Sequence, residues 1–350
     1  MGRPVPSLDE AALDPVRMLG PMRALTRKAP AAATWMGVRA VAVEPLDRRL
    51  LRYRVELNAP RPHWSVIGKV YETNIAGQRA FDGMRRLWDS GFASRTPAAV
   101  RIPEPYGYLG DLRLLLMEDV PGKSLKALVK RRVAGPAEMR LLALALVKLH
   151  RYALALGGIF GVEHHLAVRC DGRHDALAQA FPEVAPQVYS IVERARELES
   201  QLGVVPTAVH GDFHLGQVHV MNDRAWILDL DPLHVGDPAY DVAMMFVMLK
   251  QLERRMEDAS YVRMLRDTFI RSYFYGGDYE VAGRVPLHVA LIHLKRACKR
   301  FRYKDEEGWP YTVCRQVEEG AACMKLMDAA RSPRSDWDVA ALYDECPVTV

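Results

Sequence analysis

Three short runs between Gly37 and Tyr71 limit the fold more than any other feature of the chain. Val38–Val43 (VRAVAV), Arg49–Leu57 (RLLRYRVEL) and Ser65–Tyr71 (SVIGKVY) are β-branched or alternate apolar with polar residues. Glu44-Pro45-Leu46-Asp47 and Asn58-Ala59-Pro60-Arg61-Pro62 break them. Alternation with turn-forming breaks predicts a small antiparallel sheet. Thr73 can cap a following helix with Phe81, Met84 and Trp88 on one face. Two further strands are expected at Tyr106–Leu109 and Leu112–Glu118, and Val120-Pro121-Gly122 closes this half.

Beyond Gly122 the texture is helical. Pro136 can open a helix whose Leu142, Ala145, Leu146 and Leu149 form a buried stripe. A second helix is expected over Pro186–Leu202, and helices dominate from Pro238 to about Asp328. One β segment interrupts them: VHV and AWILDL flank Met221-Asn222-Asp223-Arg224 as a hairpin. The fold class is therefore α+β, with a small antiparallel β-rich N-lobe and a larger, mainly helical C-lobe. The expected divisions are an arm or capping helix at 1–33, the N-lobe at 34–116, a connector at 117–122 and the C-lobe at 123–350.

The 350 residues carry 48 Lys and Arg against 43 Asp and Glu, a net charge of +5. That small excess does not call for a nucleic-acid partner; a polyanionic metabolite suits it equally. Five scattered cysteines without a CxxC pair argue against a disulfide framework or structural zinc and for a reducing, cytoplasmic setting. No apolar run is long enough to span a membrane. Lys295, Arg296, Lys299, Arg300, Arg302 and Lys304 read as a solvated helix face.

The chemistry concentrates in His210-Gly211-Asp212-Phe213-His214-Leu215-Gly216-Gln217, followed by Ile227-Leu228-Asp229-Leu230-Asp231 and Gly236-Asp237-Pro238-Ala239-Tyr240-Asp241. One acid in a loop, an amide five residues on and a second acid after a hairpin suit phosphoryl transfer. The first carboxylate can orient a hydroxyl and accept its proton, while the amide and second acid offer hard oxygens to Mg²⁺. His210 and His214 read as organisers of the loop. Asp237 suits a helix N-cap and Pro238 the first helical position.

These three blocks, in this order, resemble the aminoglycoside phosphotransferase and choline kinase group of small-molecule kinases. The usual pattern there is HGDxHxxN, an IDF/W segment and GDPxxDLA; Gln217 stands where that pattern has Asn. The resemblance implies a bilobal protein-kinase-like fold using ATP and Mg²⁺ to phosphorylate a hydroxyl on a small-molecule acceptor. It makes Asp212 the catalytic base, Gln217 and Asp229 metal ligands, with Asp231 assisting, and Asp241 a brace for the loop. Lys69 would reach the nucleotide phosphates, with Asp82 its acidic helix partner and Glu72 the alternative. Backbone groups at Glu118 and Val120 would bind adenine, with nucleotide expected between the lobes. A loop of HxDxHxGQ type also resembles maltokinase-like sugar kinases, which favours a sugar or amino-sugar acceptor. A non-catalytic nucleotide-binding regulator is the alternative, motivated by Gln217 and a glycine-poor first turn. A protein Ser/Thr kinase is a third reading, opposed by the missing glycine loop.

Overall fold

The structure is a computed structural model. It describes residues 10–28, 37–58, 63–93, 99–152, 159–201, 206–275, 279–304, 307–329 and 334–348. Residues 59–62 of the expected breaker lie outside them, as do residues 1–9 and 29–33 of the N-terminal arm. In chain order the first elements are α1 (Glu10–Leu13), α2 (Pro15–Lys28), β1 (Val38–Pro45), β2 (Leu50–Leu57) and β3 (His63–Val70). Then come α3 (Asn74–Leu87), β4 (Val100–Arg101), β5 (Pro105–Leu109), β6 (Leu114–Glu118) and β7 (Lys123–Ser124). The next are α4 (Leu125–Lys130), α5 (Pro136–His150), α6 (Val162–His164), α7 (His174–Ala180) and α8 (Ala185–Gln201). Four short strands follow: β8 (Thr207–Val209), β9 (Val218–Met221), β10 (Arg224–Ile227) and β11 (His234–Gly236). Five helices complete the chain: α9 (Ala239–Arg255), α10 (Ala259–Tyr273), α11 (Tyr279–Tyr303), α12 (Trp309–Ala329) and α13 (Asp336–Glu345).

The architecture is α+β and divides into two compact units. The first holds the described residues up to Lys123 together with His219–Asp231; the second holds Ser124–Val218 and the chain from Pro232 onward. The hairpin and the acidic turn at 229–231 thus belong with the β-rich unit, whereas sequence reasoning grouped them with the helices.

In the first unit β1-β2-β3-β6-β5 form an antiparallel sheet. Alternation in β2 turns Leu51, Tyr53, Val55 and Leu57 inward and leaves Arg54 and Glu56 exposed. Met18 and Met22 of α2 join this core, and the Tyr53 hydroxyl donates to the Ala12 carbonyl at 2.9 Å. Fully burying an aliphatic side chain contributes about 1.5–3 kcal/mol, so the α2 stripe holds that helix on the sheet. Thr73 caps α3 by accepting from Ala76 N–H at 3.2 Å. The buried face of α3 is Gly77, Ala80, Met84 and Leu87. Phe81 is only half-buried, and Trp88 is buried in a single π-turn beyond the helix end. The expected Phe81–Met84–Trp88 stripe is corrected accordingly: the helix stops one residue short of Trp88.

The second unit is helical apart from β8 and β11. Helix α5 begins at Pro136 and buries Leu142, Ala145, Leu146 and Leu149. Strands β8 and β11 pair antiparallel, with Val209 opposite His234. Strand β8 leads into the segment 210–217, and β11 leads through Asp237-Pro238 into α9. Among the described residues, no helix is long and apolar enough to cross a membrane.

Candidate active site

In the second unit the His210–Gln217 loop is fastened from below by Asp241 of α9. Asp241 is fully buried. It accepts from His210 N–H at 2.7 Å and Gly211 N–H at 2.9 Å, and lies 3.2 Å from His150 Nε2. Burial pushes its pKa upward, yet the hydrogen bonds it accepts from His150 and the loop amide prevail and hold it below the usual aspartate value. Gly211 adopts φ +79°, and a Cβ there would come within 2.5 Å of Arg169 Nη2 and 2.8 Å of His234 Cε1. The glycine of the motif is thus required twice, by backbone conformation and by close packing.

Asp212 follows with its side chain 36% exposed. Its carboxylate lies 3.9 Å from Lys295 Nζ and 4.0 Å from His214 Nε2. Burial pulls the Lys295 pKa down, against the attraction of Asp212, and pulls that of His214 down likewise. The His214 ring is the hub of the rest of the loop. Its Nδ1 accepts from Gly216 N–H at 3.0 Å, and its Nε2 lies 3.4 Å from Gln217 Nε2. A Cβ on Gly216 would sit 2.8 Å from His214 Cε1, so glycine lets the turn wrap the imidazole. His210 is fully buried, with Nδ1 at 3.4 Å from Asp212 N–H.

In the first unit Lys69 projects from β3 with only 13% of its side chain exposed. Its Nζ lies 2.5 Å from Asp229 Oδ1 and 2.8 Å from Asp231 Oδ2. The Tyr71 hydroxyl donates to Asp231 Oδ1 at 2.6 Å. Burial opposes the charge on Lys69, but the two carboxylates outweigh it and raise its pKa. Asp229 occupies the left-handed region at φ +54°, an uncommon conformation for a non-glycine residue that aspartate tolerates better than most.

The acidic helix partner expected for Lys69 is corrected by this geometry. Asp82 is exposed on α3 and accepts from Gln78 Nε2 at 2.9 Å, while Glu72 is taken by Arg49. Asp82 falls on the solvent side because the buried face of α3 runs through positions 80, 84 and 87. Glu118 ends β6, where its amide donates to Glu104 O at 2.9 Å and its carboxylate accepts from Glu104 N–H at 3.1 Å. Val120 lies half-buried in the irregular segment that follows. Sequence reasoning missed Lys295 as a neighbour of Asp212, and Arg169 altogether.

Among the described residues there is no cluster of three or more His, Cys, Asp or Glu side chains arranged to hold a metal ion. The donor chemistry of Asp229 and Asp231 nevertheless fits a hard divalent cation. Both present carboxylate oxygens to one point, and the Lys69 ammonium supplies the positive charge there.

Against this geometry the comparisons are specific. The profile of the phosphotransferase enzyme family matches residues 41–282, more than two-thirds of the chain. None of the curated proteins matches it by sequence. Among solved structures, it is similar to a choline/ethanolamine kinase family protein from Mesorhizobium loti (TM-score 0.56, 15% identity, covering 93% of this chain and 99% of that one). It is similar to the amicoumacin kinase hAmiN, solved with AMP-PNP, Ca²⁺ and Ami (TM-score 0.55, 15% identity, 91% and 99% coverage). The ADP-bound aminoglycoside phosphotransferase APH(2'')-Ib shows the same likeness (TM-score 0.53, 14% identity, 86% and 98% coverage). At these identities the likeness is one of fold.

Proposed function

The chain belongs to the phosphotransferase enzyme family, and from that premise we propose that this small-molecule kinase moves the γ-phosphoryl group of ATP to an acceptor hydroxyl. The observation that carries the reading is the fastening of Asp212. Its loop is pinned through two backbone amides by a buried carboxylate, which fixes the base without occupying it. Phosphoryl transfer asks a protein for placement and charge compensation more than for covalent chemistry.

Asp212 orients the acceptor hydroxyl and takes its proton as that oxygen attacks the γ-phosphorus. The bond from the γ-phosphorus to the β,γ-bridging oxygen breaks, and ADP leaves with the electron pair. Lys69 contributes positive charge to the nucleotide phosphates. Asp229 and Asp231 would hold Mg²⁺, which when bound neutralises phosphate charge, and Gln217 has the motif position of an amide ligand. Lys295 is close enough to Asp212 to bias where its carboxylate points. The acceptor is a hydroxylated molecule of sugar or amino-sugar size.

The test is Mg²⁺-dependent ATP consumption over a panel of sugars, amino sugars, aminoglycosides and choline, with wild type beside Asp212→Asn. The variant is expected to lose roughly 10²–10⁴ in turnover with nucleotide affinity nearly intact. Near-normal turnover in the variant removes Asp212 from its role. Tight ATP binding without phosphorylated product under any condition favours a non-catalytic regulator.

A further inference from the structure

Within the second unit lies a cavity of about 330 Å³, lined in part by Asp237 and Tyr240 of the third motif block. Three atoms of its lining residues, Arg169 Nε, the Tyr240 hydroxyl and His288 Nδ1, are buried and make no hydrogen bond. Tyr240 as a whole is only 7% exposed. A buried polar group left unpaired is destabilising, and native proteins rarely leave several together. Three such atoms on the residues lining one cavity mark a place where a polar ligand completes the structure.

The charges around the cavity are unequally spent. Asp237 is consumed: it accepts from Arg284 Nε at 2.8 Å and Nη2 at 3.1 Å, lies 3.0 Å from His288 Nε2, and caps Ala239 N–H at 3.0 Å. Glu199 is turned to the backbone, accepting from Val162 N–H at 2.8 Å. Burial lowers the pKa of His165 to about 3 and of His234 to about 4, so both are neutral at pH 7. Arg169 is different. Among the described residues no carboxylate pairs with it; its guanidinium lies over the Phe160 ring at 5.5 Å and packs against Gly211. Gly211 immediately precedes Asp212, and the charge of Arg169 is felt at Lys295, the cation beside Asp212. The cavity therefore abuts the catalytic loop with uncompensated positive charge at that end.

We propose that this cavity is the acceptor pocket, and that its acceptor is a hydroxylated molecule bearing a carboxylate or phosphate group, which Arg169 binds. The Tyr240 hydroxyl and His288 Nδ1 meet the hydroxylated body, and Phe160 gives it an apolar face. A guanidinium matches either anion with paired N–H donors, whereas a polycationic acceptor would bring like charge against Arg169 and Lys295. The assignment rests on the reading of Asp212 as the base of a phosphotransferase.

Equilibrium titration of the full chain near pH 7.5 tests it, with D-gluconate and D-glucose 6-phosphate against D-glucose and D-glucosamine. The gluconate and 6-phosphate arms distinguish a carboxylate from a phosphate. At least one anion is expected to bind tenfold or more tighter than both neutral and cationic sugars. Arg169→Gln should weaken that anion about ten- to a hundredfold and remove the preference, with Arg169→Lys recovering part of it. Tyr240→Phe should weaken every probe that binds a fewfold while keeping the preference for the anion, which tests the pocket even if Arg169→Gln fails to fold. Equal binding of all four sugars, no binding by either anion, or anion affinity unmoved in Arg169→Gln overturns the proposal. So does an anion displaced by ATP, which would place it in the nucleotide site. Turnover separates the two readings. Loss of transfer in Asp212→Asn with Arg169-independent binding removes the pocket and leaves the kinase. Arg169-dependent anion binding with no transfer from Mg²⁺-ATP to any acceptor leaves the pocket and removes the kinase.

Discussion

Asp241→Asn is the substitution whose consequence the structure fixes most tightly. A carboxylate only accepts, so His150 Nε2 must donate to it. His150 Nδ1 then accepts from the Tyr273 hydroxyl 2.7 Å away. One oxygen of Asp241 serves Gly211 N–H; the other serves His210 N–H and His150. Asparagine retains one acceptor and replaces the other with an N–H donor. His150 can adapt by changing tautomer while the Tyr273 hydroxyl turns, but a backbone N–H cannot. Whichever way the amide lies, His210 or Gly211 loses its partner in a fully buried site. An unpaired buried donor costs about 1–3 kcal/mol, and the surviving bond loses its charge assistance, about 1 kcal/mol more. The expected destabilisation is therefore about 2–4 kcal/mol in urea unfolding. Turnover should fall as well, because displacing a reacting group by about 1 Å can cost 10² in rate. Unfolding free energy within about 0.5 kcal/mol of wild type, together with unchanged turnover, would refute the claim that Asp241 holds the loop.

Lys69→Met removes the cation from two carboxylates and should lower turnover by roughly 10²–10³, measured by single-turnover phosphoryl transfer at saturating ATP; a change under threefold would remove Lys69 from phosphate binding. Stability should also fall on acidification. His165 and His234 stay neutral in the folded chain down to about 3 and 4, whereas the unfolded chain protonates them near 6.5. Their contribution is complete above pH 6.5 and drains away as pH falls through that window. The loss amounts to about 2 kcal/mol per histidine at pH 5. Asp237 and Asp241, held below the ordinary aspartate range, add their losses only below about pH 4. Urea midpoints that stay level from pH 7.5 to 5 would contradict the histidine assignment.

What could be read in advance was what the chain encodes locally. Period-two alternation placed β2 because each of its inward residues meets a core while Arg54 and Glu56 on the outward side meet water. Pro136 and the stripe behind it marked α5, and the order of the three motif blocks carried the family. Asp82 misled because a carboxylate on the helix after Lys69 looks suitable by spacing alone. Which face of α3 is buried depends on the sheet it meets, and that turns Asp82 to solvent.

Lys295 shows the same boundary from the other side. In sequence it is one of six basic residues that look like a single solvated face. On α11, however, Leu287, Leu291, Leu294 and Cys298 belong to a buried surface that takes in most of the helix up to Leu294, and Lys295 stands at its margin, one residue after Leu294 and four after Leu291. A long side chain at such a margin can lay its stem along apolar surface and deliver its charge to a neighbouring polar group. Lys299, one turn on, has left the margin and is exposed. Helical phase relative to the buried surface was the available signal, hidden by the uniform charge of the run. Arg169 carried no such signal. It lies in the short π-turn 165–169, and only the packing of that turn against Gly211 brings its guanidinium to the catalytic loop. The motifs therefore encode the atoms common to every phosphoryl transfer. The charge we assign to acceptor recognition, on Arg169, arrives from a segment with no motif of its own, positioned by tertiary packing.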